Sequence, residues 1–238
     1  MKIILTCFFL FIMAVEPCTC GVVRSSISGR TIVTIENAEE PPLPEGVVAV
    51  EYIGQSDNQQ RIETGIVPPQ GSILRCEFQF TKLTDQLNAI GIYYQGFGFG
   101  ISGGMFRVDC FDWITLSTVI DTEWHEWTID EINMKASIDG VSIPIRIRHS
   151  AFGEEWEGSC GFTLFRRTRA SNGQSDIYCN GARCRSLYIG TATEALIDAI
   201  AVRFVNENGE DEGALYDRVN GCLLRNNGSG VLIFGNDL

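Results

Sequence analysis

The feature that most constrains this chain is alternation of apolar and polar residues, cut into short runs by Asn-Gly and Asp-Gly pairs. Leu74, Cys76, Phe78 and Phe80 alternate with Arg75, Glu77 and Gln79. Trp127 and Ile129 alternate with Thr128 and Asp130, and Ile143, Ile145 and Ile147 with Pro144, Arg146 and Arg148. Val48, Val50 and Tyr52 alternate with Ala49 and Glu51. A period of two puts one set of side chains in a core and the other in water, which is the pattern of a half-buried strand. Asp139-Gly140, Asn172-Gly173, Asn180-Gly181, Asn208-Gly209, Asn220-Gly221 and Asn227-Gly228 separate the runs. Such pairs accept positive φ and close tight hairpins. Short strands at this spacing predict an all-β, antiparallel sandwich or barrel. Thr191 to Phe204 conflicts with that pattern. Thr191 and Glu194 form a capping-box pair, and Leu196, Ile197, Ile200, Ala201 and Phe204 recur with a helical period.

The chain of 238 residues begins with what reads as a signal peptide over 1–20. Lys2 supplies the positive start and Ile3 to Val15 the apolar run, too short for a comfortable membrane span. Glu16-Pro17 breaks the run, and Cys18, Thr19, Cys20 and Gly21 offer small residues for cleavage. The alternatives are a lipid anchor on Cys18 or Cys20, or a buried N-terminal element. No later apolar run is long enough to span a membrane, so the expected location is secreted or at the cell surface. Residues 21–45 read as a linker or N-terminal arm. Arg24 to Gly29 is Ser-rich, and Glu39-Glu40-Pro41-Pro42-Leu43-Pro44 lacks the donors that ladders need. Thr31 to Ile35 is a candidate edge strand within it. Residues 46–238 are expected to form one folded domain.

Formal charge is −12 for the whole chain. Removing 1–20 takes away Lys2 and Glu16, one charge of each sign, and leaves it unchanged. An acidic surface repels phosphate backbones and anionic headgroups, so nucleic acid and acidic membranes are poor partners. Of nine cysteines, Cys76, Cys110, Cys160, Cys179, Cys184 and Cys222 lie beyond the leader. Cys179 and Cys184 flank a turn-forming stretch and are the expected disulfide pair, with buried thiols as the alternative. No second Cys-x-x-Cys or His pair completes a zinc set.

The last third carries a resemblance. Arg203-Phe204-Val205-Asn206-Glu207-Asn208-Gly209 runs into Gly213-Ala214-Leu215-Tyr216-Asp217-Arg218-Val219-Asn220-Gly221. Leu224-Arg225-Asn226, Gly228-Ser229-Gly230 and Phe234-Gly235 follow. Earlier come Leu43-Pro44-Glu45-Gly46, Glu51-Tyr52-Ile53, Ile62-Glu63-Thr64-Gly65-Ile66, Trp124-His125-Glu126-Trp127 and Ala136-Ser137-Ile138-Asp139-Gly140. In this order the segments resemble the laminin-G-like, concanavalin A-like jelly-roll domains of bacterial surface proteins and phage virion proteins. The resemblance implies an antiparallel two-sheet jelly-roll sandwich and makes 195–205 a strand. The six cysteines have no counterpart in that pattern.

Catalytic motifs are weak. Gly100-Ile101-Ser102-Gly103-Gly104 fits a nucleophile elbow, but that device needs strand, turn, then helix, and Met105 to Cys110 reads as strand. The Gly98, Gly100 and Gly103 spacing lacks a following helix to receive a pyrophosphate. Jelly rolls also host glycoside hydrolases, yet no Glu-x-Asp-x-x-Glu strand motif is present. Asp130 and Glu131 are adjacent and point to opposite faces. Glu154, Glu155 and Glu157 surround Trp156 in what reads as a solvated loop. The chain is therefore expected not to be an enzyme. For ligands, Tyr93, Tyr94, Phe97, Trp113 and Trp156 are candidate sugar-stacking rings, with core packing as their alternative. Trp124 and Trp127 read as core. No cofactor is expected. Asn206, Asn208 and Asp211 are the candidate ligands of a weak calcium site, against a plain charged turn. The expected function is a secreted, non-enzymatic module binding a glycan or an extracellular protein, or a surface display domain. A structural assembly subunit is the second class and an unusual hydrolase the third.

Overall fold

The computed structural model describes residues 22–27, 30–35, 41–83, 88–93, 97–102, 105–110, 113–119, 121–144, 146–147, 161–169, 175–179 and 181–238. The expected leader lies outside these residues. The chain divides into two compact units, 1–42 and 43–238. In the first, β1 (Val22–Ile27) pairs antiparallel with β2 (Arg30–Ile35). Val22–Ile27 thus supplies a partner for the expected edge strand at Thr31 to Ile35.

The second unit contains β3 (Val47–Ala49), β4 (Ile53–Gly54), β5 (Ile62–Glu63), β6 (Ile73–Phe80), β7 (Asn88–Tyr93), β8 (Phe97–Ser102), β9 (Met105–Cys110) and β10 (Trp113–Val119). It continues with β11 (His125–Asp130), β12 (Lys135–Ile138), β13 (Val141–Ile143), β14 (Arg146–Ile147), β15 (Thr163–Leu164), β16 (Arg166–Arg169) and β17 (Ser175–Tyr178). It ends with β18 (Ala182–Gly190), β19 (Ala195–Val205), β20 (Asp211–Asp217), β21 (Cys222–Leu224) and β22 (Ile233–Phe234). The described residues form no helix. Eleven strands make one sheet, ordered β13-β12-β11-β6-β18-β19-β20-β21, with β4 on β18, β3 on β19 and β22 on β4. Nine make another, ordered β14-β10-β9-β8-β7-β15-β5, with β16 on β7 and β17 on β16. Pairing is antiparallel throughout except between β16 and β7.

Alternation decides which faces are dry. In β6, Leu74, Cys76, Phe78 and Phe80 are buried while Arg75, Glu77 and Gln79 point outward. In β11, Trp127 and Ile129 are buried, and the Trp127 indole N–H donates to the Phe78 carbonyl at 3.2 Å. Residues of the other sheet meet them. Phe99 of β8 stacks on Trp127 with centroids 5.1 Å apart, and Phe78 packs edge-on against Phe99 at 5.7 Å. Side chains of both sheets therefore share one hydrophobic cluster.

The disputed segment is a strand. Ile197, Ala199 and Ala201 of β19 point into the main cluster. Val202 and Phe204 join Ala214 and Tyr216 in a second cluster on which Leu43, Val47, Ile200 and Leu223 pack. Apolar residues cover both sides of β19, so its period-two signal is lost and a helical period appears. The Thr191 hydroxyl accepts the Glu194 and Thr193 N–H groups, closing the turn before β19. The expected Ile143–Ile147 run also changes. Pro144 cannot extend the ladder, and the chain passes from β13 in one sheet to β14 in the other. Asp139 and Gly140 have φ of +50° and +74°, and Ile138 pairs directly with Val141, as a tight hairpin requires.

The expected Cys179–Cys184 disulfide is not formed. The chain leaves β17 in one sheet and enters β18 in the other. The Cys179 N–H donates to the Phe165 carbonyl, and the Cys184 sulfur lies 3.8 Å from that of Cys76.

Candidate functional site

Outward positions of β6 and β18 lie in register. Arg183 pairs with Gln79, and Tyr188 with Arg75. The register slips between Cys184 and Ser186, leaving Arg185 without a cross-strand partner on β6. This irregularity sends Arg185 over the indole of Trp124, its guanidinium carbon 4.1 Å from the ring centroid, while it also pairs with the Glu77 carboxylate. Arg183 lies 4.4 Å over Tyr52, and Arg75 lies 5.5 Å over Tyr188. The Tyr52 and Trp124 rings stand 6.1 Å apart at 45°. The result is a platform of two partly exposed rings, each bearing a guanidinium. Among the described residues neither Arg75 nor Arg183 has a carboxylate at ion-pair distance, whereas Arg185 is paired with Glu77.

Each ring is held in place. The Gln79 side-chain amide donates to the Thr122 carbonyl at 2.7 Å, fastening the loop that carries Trp124. His125 ties down the same loop. Its Nε2 lies 2.9 Å from the Asp121 carboxylate and its Nδ1 lies 2.6 Å from that of Asp139. Burial alone would lower the His125 pKa, but hydrogen bonds and charges from Asp139 and Asp121 outweigh it and raise the pKa above the ordinary 6.5. Asp121 is lowered from its usual 3.8 by the Glu123 N–H first and then by His125. Tyr52 is fixed by backbone bonds to the C-terminal strand. The Gly235 N–H donates to the Tyr52 carbonyl, and the Glu51 N–H to that of Asn236. A Cβ on Gly235 would come within 2.8 Å of the Tyr52 ring.

Of the predicted sugar-stacking residues, only Phe97 has a described side chain. Tyr94 and Trp156 are outside the described residues. Tyr93 and Trp113 are placed by backbone alone, in β7 and β10. Phe97 is fully buried and belongs to the core. Trp124, predicted as core, faces outward because it is three residues from Trp127 and so has opposite parity. Tyr52 also leaves the face of Val50, because β3 ends at Ala49 and the buried position passes to Ile53. The signal for the platform was therefore legible as parity at Trp124. The Arg185 slip in register was not.

The candidate calcium residues have other duties. The Asn206 side-chain oxygen accepts the Asn208 and Glu210 N–H groups at 2.9 and 3.0 Å. Asp211 accepts from Arg203, which also grips Asp237 through two bonds of 2.7 and 2.8 Å. Among the described residues no three His, Cys, Asp or Glu side chains group to hold a metal. Asp130 accepts from Asn133, and Glu131 accepts the Gly71 and Ser72 N–H groups, so both acids brace turns. Ser102 ends β8, and β9 follows as a strand.

The residues that carried the resemblance act as braces. Asp217 is buried and accepts from the Asp198 and Val219 N–H groups and the Asn220 amide. The Asn226 side-chain oxygen accepts from the Arg61 N–H, and that of Asn227 from the Glu63 N–H. No helix among the described residues is long and apolar enough to cross a membrane. No protein-family model matches this chain, and a search of curated proteins finds no match.

Proposed function

We propose that this chain is a secreted, non-enzymatic module of laminin-G-like jelly-roll design that binds a glycan. The observation that supports the reading is the partly exposed Tyr52–Trp124 pair, with Arg183 over one face of Tyr52 and Arg185 over one face of Trp124 on the outer side of β6 and β18. Aromatic rings present apolar faces to sugar C–H groups, while guanidinium N–H groups donate to hydroxyls and carboxylates. Arg75 and Arg183, which no described carboxylate reaches at ion-pair distance, favour glycans carrying carboxylate or sulfate groups. The antiparallel sheets and their shared core support the jelly-roll architecture, and Asp130 and Glu131 are engaged in bracing turns. Purified chain on a glycan array that includes uronic-acid and sulfated sugars tests this reading. Binding to acidic glycans that weakens with salt is expected. No hit above background removes the glycan reading.

A further inference from the structure

We propose that Cys76 and Cys184 are the partners of a disulfide that joins β6 to β18 beneath the aromatic platform. Their sulfurs already lie 3.8 Å apart, on neighbouring antiparallel strands, although 108 positions separate them in the chain. Both side chains are buried and point to the same face. The register slip after Cys184 draws it towards Cys76, which lies two residues from Phe78, the direct partner of Cys184. In this structure both are thiols, and the Cys184 thiol donates to the Ser186 carbonyl. The Cys76–Cys184 proximity is independent of any ligand.

The chemistry is thiol–disulfide exchange with a small-molecule disulfide such as oxidised glutathione. One cysteine thiolate attacks a sulfur of the oxidant and releases one glutathione thiolate. The second cysteine thiolate then attacks the protein sulfur of the mixed disulfide, forming the Cys76–Cys184 bond and releasing the other glutathione. The two protein thiols lose two protons and two electrons, and the oxidant is reduced to two thiols. Burial raises the Cys76 pKa, and its closeness to Cys184 raises it further, so folded Cys76 holds little of the reactive thiolate. The bond therefore forms during folding, as β6 and β18 pair and before the core closes over Cys76, so that their register selects its partners.

The test is to unfold and reduce the full chain, then refold it with and without a glutathione redox buffer. Free thiols are alkylated and the products mapped by peptide mass spectrometry. A Cys76–Cys184 cross-linked peptide after oxidative refolding, with Tm about 5–15 °C above the reduced protein, is the expected result. Absence of the Tm rise in Cys184→Ala refolded in the same buffer is the expected control. Recovery of Cys76 and Cys184 as alkylated thiols from oxidatively refolded protein, or either one bonded to another cysteine, would overturn the assignment.

Discussion

His125 bridges two carboxylates from different turns, and its protonation state has consequences at the scale of one residue. Its pKa is raised in the folded state, so its contribution to stability is complete below about pH 6.5 and is lost as pH rises through the raised value. Asp121 and Asp139 are lowered from 3.8, so their share is present at neutral pH and is lost as pH falls below that value. Glu131 adds a second slope, because burial pushes it up to about 7 against two N–H donors. Its folded form binds the proton more tightly than the unfolded chain, so ionising it also lowers stability as pH rises from 4.5 towards 7. Replacing His125 separates the two. The stability gap between wild type and His125→Gln is predicted to be widest near pH 5–6 and to shrink by pH 9, as measured by urea midpoints. A gap independent of pH would contradict the bridge. Asp121 lies only four residues before His125, but Asp139 is 14 residues beyond it and meets it only once the strands pair, so the bridge was not legible in the sequence.

Among the elements, β6 and β11 were the most legible. Each has one wet and one dry face, and period two survives in the sequence. Trp127 is the largest fully buried side chain of this pair, so Trp127→Ala is predicted to cost about 3–5 kcal/mol, read from chemical denaturation. β19 was the least legible to periodicity because its two faces are covered by two separate clusters, and only the resemblance pointed to a strand. The Asn226–Gly230 segment shows why a turn motif can carry structure without a ligand. A Cβ on Gly228 would collide with the Gln59 carbonyl, so the glycine permits close approach of two backbones. Gly228→Ala is predicted to destabilise the fold by about 1–3 kcal/mol, measured as a lowered denaturant midpoint. A neutral effect would mean the segment does not dock as described.

At the scale of the molecule, two antiparallel sheets share one core, and the outer face of one of them carries rings and guanidinium groups. The all-β class was readable from alternation and turns. The candidate site was not, because it needs Tyr52, Trp124, Arg183 and Arg185, which are brought together by strand pairing across 133 positions of chain (185 − 52). Exposure at a sheet surface depends on parity and on where a register slips, and the slip at Arg185 leaves no mark in the sequence. The mixed burial of these four residues gives a clean separation of binding from folding. Each is partly exposed, so substituting the rings leaves the core intact. The most direct measurement is a parallel glycan-array and near-UV circular dichroism comparison of wild type and the Tyr52→Ala, Trp124→Ala double variant. The account predicts that the variant folds cooperatively and loses at least tenfold in affinity for the acidic glycans that wild type retains, about 1.4 kcal/mol or more. Equal binding by a folded double variant would contradict it.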